Sequence, residues 1–172
     1  YKRQVVFEKL LFEGREVAAH EDIEDKGQTV TYQSIKIGTT AKDKATGKKE
    51  AAADNKITIV DTVAYKNLIP GTTYTVKGQL YNQETGKPML DDAGNEINAE
   101  KEITPTTANG EVEITFTFSG VSLAGKVGVA FEEVYYKDRL VGVHASLEDE
   151  RQMSFYPCLK TTAAGEAKNL VY

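Results

Sequence analysis

Residues 111–118 read EVEITFTF, with Val112, Ile114, Phe116 and Phe118 on one side and Glu111, Glu113, Thr115 and Thr117 on the other. A period of two in β-branched and aromatic residues predicts a strand with one buried face. The pattern repeats upstream. In YTVKGQLY (74–81), Tyr74, Val76, Gly78 and Leu80 alternate with Thr75, Lys77, Gln79 and Tyr81. KITIVDTVAY (56–65), KVGVAFEEVYY (126–136) and IKIGTTAKD (35–43) extend the set. Turn chemistry separates these runs at Thr46-Gly47, Pro70-Gly71, Gly86 to Pro88, Ala93-Gly94-Asn95 and Asn109-Gly110. No stretch of a dozen residues carries helical periodicity with caps. Short strands at regular spacing, without helices between them, predict an all-β, antiparallel, immunoglobulin-like β-sandwich.

Composition narrows the function. The chain has 172 residues, 40% of them hydrophobic and 27% charged, enough apolar material for a real core. A net charge of −5 argues against an electrostatic nucleic-acid binder or a basic membrane-surface protein. No apolar run approaches the roughly 20 residues that span a bilayer, and the first residues, YKRQVVFEKL, lack a signal-peptide layout. One cysteine, Cys158, leaves no internal disulfide framework, and two histidines build no multi-His metal site. The expectation is therefore a chain without metal or other cofactor.

An internal repeat organises the chain. Residues 5–28, VVFEKLLFEGREVAAHEDIEDKGQ, align without a gap on residues 129–152, VAFEEVYYKDRLVGVHASLEDERQ. Identical pairs include Phe7 with Phe131, Glu8 with Glu132, His20 with His144, Asp25 with Asp149 and Gln28 with Gln152. A second echo joins IGTTA (37–41) to LKTTA (159–163). Self-similarity at a long fixed period predicts a tandem array. Residues 1–33 then read as the C-terminal strands of a preceding repeat. Residues 34–157 form a complete repeat, and 158–172 hold the first strand of a following one. The competing reading is one irregular domain with two similar neighbouring segments. Cys158 falls at the repeat junction, where a small semi-buried linker residue is expected.

Polar residues on apolar faces mark the candidate chemistry. Alternation through 35–43 groups Thr39 with Ile35, Ile37 and Ala41, though a bulge would turn Thr40 inward instead. Asp61 shares a face with Ile59 and Val63, Glu132 with Ala130 and Val134, and Glu8 with Val6 and Leu10. Carboxyls on buried faces are costly unless paired or hydrogen-bonded. Each repeat tail carries His-x3-Glu-Asp-x2-Gln: His144, Glu148, Asp149 and Gln152, and earlier His20, Glu24, Asp25 and Gln28.

These pieces together resemble the VaFE repeat, the Thr–Gln ester-bond domain of Gram-positive surface proteins. The matching stretches are VVFEKL, VAFEEV, the His-x3-Glu-Asp-x2-Gln tail, DTVAYKNLIPGTTYTVKGQL and IGTTAKDKATGK. The resemblance implies a CnaB-like sandwich in which an intramolecular ester forms spontaneously, with loss of ammonia. It implies Thr39 as nucleophile, His144 as general base, Gln152 as the acylated side chain, and Asp61 with Glu132 as an acid pair. Glu8, His20, Gln28 and Thr161 become parts of sites in neighbouring repeats. A Thr hydroxyl needs a base to take its proton, as in Ser-His systems. A protonated carboxyl is then expected to stabilise the oxyanion, and His144 to give a proton to the departing nitrogen. The reaction runs once per domain, so the chain is not expected to be an enzyme with turnover.

The resemblance further implies a structural stalk or fibre module on the bacterial cell surface or wall. Its partners are adjacent repeats, with a host receptor reached through other domains, and neither nucleic acid nor a membrane span is expected. Three alternatives remain at this stage. A pilin-like module with a Lys–Asn isopeptide bond also loses ammonia, but after His144 the repeat tail offers no Asn. A ligand-binding sandwich would use loops such as 82–97 or 105–110, and a hydrolase would use Thr39, His144 and Asp61. The hydrolase lacks a glycine-rich nucleophile turn.

Overall fold

Alternation along the chain becomes alternation in burial. In the computed structural model, which describes residues 2–158, the stretch Ile57–Lys66 alternates buried and half-buried side chains over nearly its whole length. Gly110–Phe118 buries Ile114, Phe116 and Phe118 and exposes its glutamates and threonines. The described strands are β1 (Lys2–Val5), β2 (Glu8–Phe12), β3 (Arg15–His20), β4 (Thr29–Tyr32), β5 (Lys36–Asp43), β6 (Ile57–Lys66), β7 (Tyr74–Asn82), β8 (Asn98–Ile103), β9 (Gly110–Phe118), β10 (Val127–Tyr136), β11 (Arg139–His144) and β12 (Met153–Phe155). No α-helix occurs among the described residues, only short 3-10 turns at Val121–Leu123 and Glu150–Gln152. Among the described residues, no helix is therefore long and apolar enough to cross a membrane.

Strands β5 to β12 form an antiparallel, immunoglobulin-like sandwich. One sheet has the order β5-β6-β9; the other runs β11-β10-β7-β8, with β12 also paired to β10. Between them lies a core that includes Ile59, Val63, Val76, Leu80, Phe116, Val134 and Tyr156. Each such side chain contributes roughly 1.5–3 kcal/mol when fully buried. Gly78 is required by this packing. A Cβ there would lie 2.5 Å from Ile114 Cδ1 and 2.6 Å from Phe116 Cζ of the opposite sheet. Gly142 has the same role beside β5, where a Cβ would come within 2.9 Å of Ile37 Cγ1.

Residues 2–32 form two small antiparallel pairs, β1 with β4 and β2 with β3. Side chains from 3 to 30 are largely exposed, Leu10, Phe12 and Ile23 among them. Glu8, expected on a buried face, is exposed, because among the described residues no opposing sheet covers β2. Cys158 is likewise exposed rather than semi-buried. Thr161 lies outside the described residues.

Candidate functional site

Strand pairing brings three polar side chains into the apolar interior, and a turn adds a fourth. On β5, Thr39 stands opposite Val63, faces inward and is almost fully buried, whereas Thr40 is only half-buried. The strand runs through Thr39 in regular register, so no bulge turns Thr40 inward. Asp61 on β6 pairs with Ala41 on one side and Ile114 on the other, and has no exposed surface. Glu132, on β10 of the facing sheet, stands between Gly78 of β7 and His144 of β11, and is equally buried. Gln152 arrives by a different route. Asp149 caps the 3-10 turn Glu150–Gln152, its Oδ1 accepting from the Arg151 amide at 3.0 Å. That turn swings Gln152 fully into the interior just before β12 begins. Asp at such an N-cap satisfies a backbone donor that the turn leaves free.

The side chains meet at hydrogen-bond distance. Gln152 Nε2 donates to Thr39 Oγ1 at 2.5 Å and to Glu132 Oε2 at 2.6 Å. Thr39 and Gln152 are 113 residues apart in the chain. Beside them, Gln152 Oε1, Glu132 Oε1 and both Asp61 carboxylate oxygens are buried and meet no donor. Four orphaned acceptors in an apolar interior are costly, and a proton held between the two carboxyls relieves part of that cost. Burial pushes the Glu132 carboxyl far above the usual carboxylate range, and the neighbouring Asp61 pushes it further. Burial also raises Asp61, while Glu132, the Thr40 amide and, less strongly, the Lys49 ammonium pull it the other way. Both shifts run in the direction that disfavours ionising the pair. Two adjacent buried carboxyls cannot both ionise.

His144 sits at the edge of this cluster. Its Nε2 bonds Asp149 Oδ2 at 2.9 Å, and its hydrogen bond is to Asp149 rather than to Thr39. Asp149 is held well below the usual carboxylate range, first by the Arg151 guanidinium and then by His144. The sequence motif contained Asp149 without giving it a task; its place is under the imidazole and at the head of the turn. Lys49 carried no sequence signal at all. Its amine donates to the Ala41 carbonyl at 2.7 Å and to the Arg151 carbonyl.

The earlier copy of the motif is assembled only locally. His20 Nε2 lies 2.8 Å from Asp25 Oδ2, but Glu8 is exposed and Gln28 is half-buried, its Oε1 without a donor. Among the described residues, no group of three or more His, Cys, Asp or Glu side chains is arranged to hold a metal.

Comparison with known proteins gives this geometry a context. Residues 1–32 and 35–154 match the family described as "T-Q ester bond containing domain". Two structures of a bacterial adhesin from Mobiluncus mulieris, described as containing intramolecular disulfide, isopeptide and ester bond cross-links, share the fold. One superposes with a TM-score of 0.62 at 18% identity, the other with 0.59 at 20% identity; each covers 73% of this chain and 58% of the adhesin chain. This chain thus spans less than two thirds of the adhesin's length. No protein of curated function matches the chain.

Proposed function

The chain belongs to the T-Q ester bond domain family, and from that premise we propose that residues 34–157 form a self-cross-linking structural module joined by an ester between Thr39 and Gln152. One observation carries the proposal: the 2.5 Å approach of the Gln152 carboxamide to the Thr39 hydroxyl in a buried, water-excluding site. Fixing the two groups in one fold supplies the effective molarity that replaces an activated substrate.

In this mechanism Thr39 Oγ attacks Gln152 Cδ as His144 takes the hydroxyl proton. The His144 Nε2–H bond to Asp149 selects the tautomer whose Nδ1 keeps a free lone pair. The acid pair then acts at the departing nitrogen, since Glu132 Oε2 lies 2.6 Å from Gln152 Nε2. Glu132 gives its proton to that nitrogen as the C–N bond breaks, and ammonia leaves. The proton on His144 returns to the carboxyl pair. The sum is one hydroxyl and one carboxamide converted to one ester and one ammonia, with the residues restored but no site left to react again. This assigns the carboxyls to the leaving group rather than to the oxyanion.

The ester would tie β5, at the edge of one sheet, to the turn that leads into β12 of the other. Closing a loop of this length stabilises the fold by about 4–5 kcal/mol in the chain-entropy treatment. Tension applied at the ends would pass through the covalent bridge and spare the strands between. That property suits a stalk module of a surface adhesin, and the fold shared with the Mobiluncus adhesin supports this placement. Residues 1–33 then serve as the final strands of a preceding repeat and 158–172 as the start of a following one. The isopeptide alternative lacks support: among the described residues, no lysine amine hydrogen-bonds an asparagine.

Intact-mass measurement tests the proposal. The parent chain is expected to be lighter than its sequence mass by one ammonia, and Thr39→Ala to restore the missing mass. Hydroxylamine, which cleaves esters and spares amides, should reopen the bridge. A parent chain at full sequence mass would end the ester reading.

A further inference from the structure

The reacting side chains sit on two segments that share no strand pairing. Thr39 is on β5, and Gln152 is on a 3-10 turn attached to the other sheet. Something must hold these segments in contact while the ester forms. We propose that Lys49 is the positioning residue for the reaction, its ammonium clamping the strand that bears Thr39 to the turn that bears Gln152. This inference rests on the ester reading above.

The geometry is specific. Lys49 Nζ donates to the carbonyl of Ala41, two residues beyond Thr39, and to the carbonyl of Arg151, immediately before Gln152. The Lys49 main chain reinforces the same junction. Its carbonyl accepts from the Phe155 amide at 2.9 Å, and the Ala51 amide donates to the Phe155 carbonyl at 2.9 Å. Together these make a parallel bridge between Glu50 and Phe155. The chain reaches this position by a tight turn out of β5. There Asp43 Oδ2 accepts from the Thr46 amide at 2.9 Å, and Gly47 takes a positive φ of 69°. Residues 49–51 therefore hold β12 through their backbone, while the Lys49 side chain holds β5 against the turn.

The choice of partners points away from ordinary surface packing. The ammonium is half-buried, and its two hydrogen bonds go to neutral carbonyls rather than to a carboxylate. Burial lowers the affinity of this amine for its proton, partly offset by the Asp61 and Asp149 carboxyls nearby, yet neither carboxyl accepts a hydrogen bond from it. A small displacement of either carbonyl would move Thr39 Oγ and Gln152 Cδ apart, and reaction rates are steeply sensitive to such displacements.

Cell-free synthesis quenched into acid at intervals, followed by intact-mass analysis, measures the rate at which ammonia is lost. Lys49→Met keeps the stem and removes the ammonium; its ester should form on the order of 10- to 100-fold more slowly than the parent's, the scale expected for misplaced reactants. Lys49→Arg, whose guanidinium can donate to both carbonyls, should restore most of the rate. Cooperative melting of Thr39→Ala/Lys49→Met shows that the fold survives without the clamp. If that variant does not fold, Lys49→Gln replaces it, since a side chain one atom shorter does not span both carbonyls. Slowed formation in Lys49→Gln supports the clamp. Formation at the parental rate in Lys49→Met or Lys49→Gln overturns it, as does Lys49→Arg reacting as slowly as Lys49→Met. A parent chain that loses no ammonia fails the ester reading itself, so the two failures are separable.

Discussion

The hairpins 2–32 and 127–155 carry the same motif and make the same local structure, yet only one of them builds a buried site. Their strand registers coincide at an offset of 124. Val5 pairs with Thr29 as Val129 pairs with Met153, and Glu8 pairs with His20 as Glu132 pairs with His144. Both hairpins shift register at equivalent points, between Leu10 and Leu11 and between Val134 and Tyr135. Both turn at a residue with positive φ, Glu13 and Lys137. Both bring histidine to aspartate, at 2.8 Å and 2.9 Å. The difference is coverage. Leu10 is 63% exposed where Val134 is 1% exposed, and Val6 is 50% exposed where Ala130 is fully buried. Strand β10 is continuous because β7 pairs with it from Gly128 to Tyr135, whereas the equivalent stretch divides into β1 and β2 at Val6-Phe7. Short-range sequence is enough for the hairpin and its His–Asp pair. The acid pair and the buried carboxamide require the second sheet.

The largest expected break in this comparison is covalent. Thr39→Ala should lower the unfolding free energy by about 4–5 kcal/mol through loss of loop closure. Gln28→Ala, in the uncovered copy, should change neither the mass deficit nor the global melting transition. Denaturant unfolding of the two variants beside the parent makes the measurement. Equal destabilisation would dissolve the distinction between the copies.

Next in size is the carboxyl pair, read in the Thr39→Ala background so that cross-linking does not mask it. Glu132→Ala leaves the buried Asp61 carboxyl and the Gln152 amide without their partner, and should cost about 1–3 kcal/mol. Glu8→Ala should stay within about 0.5 kcal/mol, as is usual for an exposed position. The pH dependence sharpens the test. Glu132 binds its proton more tightly folded than unfolded. Its contribution is therefore fully present below its ordinary value near 4.5 and is lost as pH rises through the folded value. Stability of Thr39→Ala should thus fall with rising pH above about 4.5, by no more than about 1.4 kcal/mol per pH unit for one proton, and Glu132→Gln should flatten that slope. An unchanged slope in Glu132→Gln would place the proton elsewhere.

The smallest contrast concerns the caps. Asp149→Ala removes the N-cap of the turn that presents Gln152 and the partner of His144, and should cost about 1 kcal/mol. Asp25→Ala should leave the global transition within about 0.5 kcal/mol, because its hairpin adds little to the core. Thermal melts in the Thr39→Ala background separate the two.

Much of this architecture is legible before any coordinates. Alternation in 56–65, 74–81 and 111–118 assigns each inward residue correctly, Asp61 among them, because a half-buried strand must segregate polar from apolar side chains. The same rule turns Thr39 inward. It fails for Glu8, since alternation reports which face a residue occupies and not whether another sheet lies over that face. Gln152 is legible from its motif, but the turn that inserts it is not, because a 3-10 turn of three residues has no periodicity to read. Lys49 is silent for a plainer reason: its partners are backbone carbonyls, which carry no residue identity, and one of them is 102 positions away.

The amino-acid sequence by itself determined the strands and their faces, through short-range periodicity and turn chemistry, and the repeated motif, through self-similarity at an offset of 124. Only the tertiary structure decided which copy of the motif is buried, which atom of Gln152 the acid pair addresses, and how Lys49 bridges the two segments. Those are distances between side chains on different sheets. They depend on how far apart the sheets pack and on where glycines such as Gly78 and Gly142 let the chains approach, which no local pattern encodes.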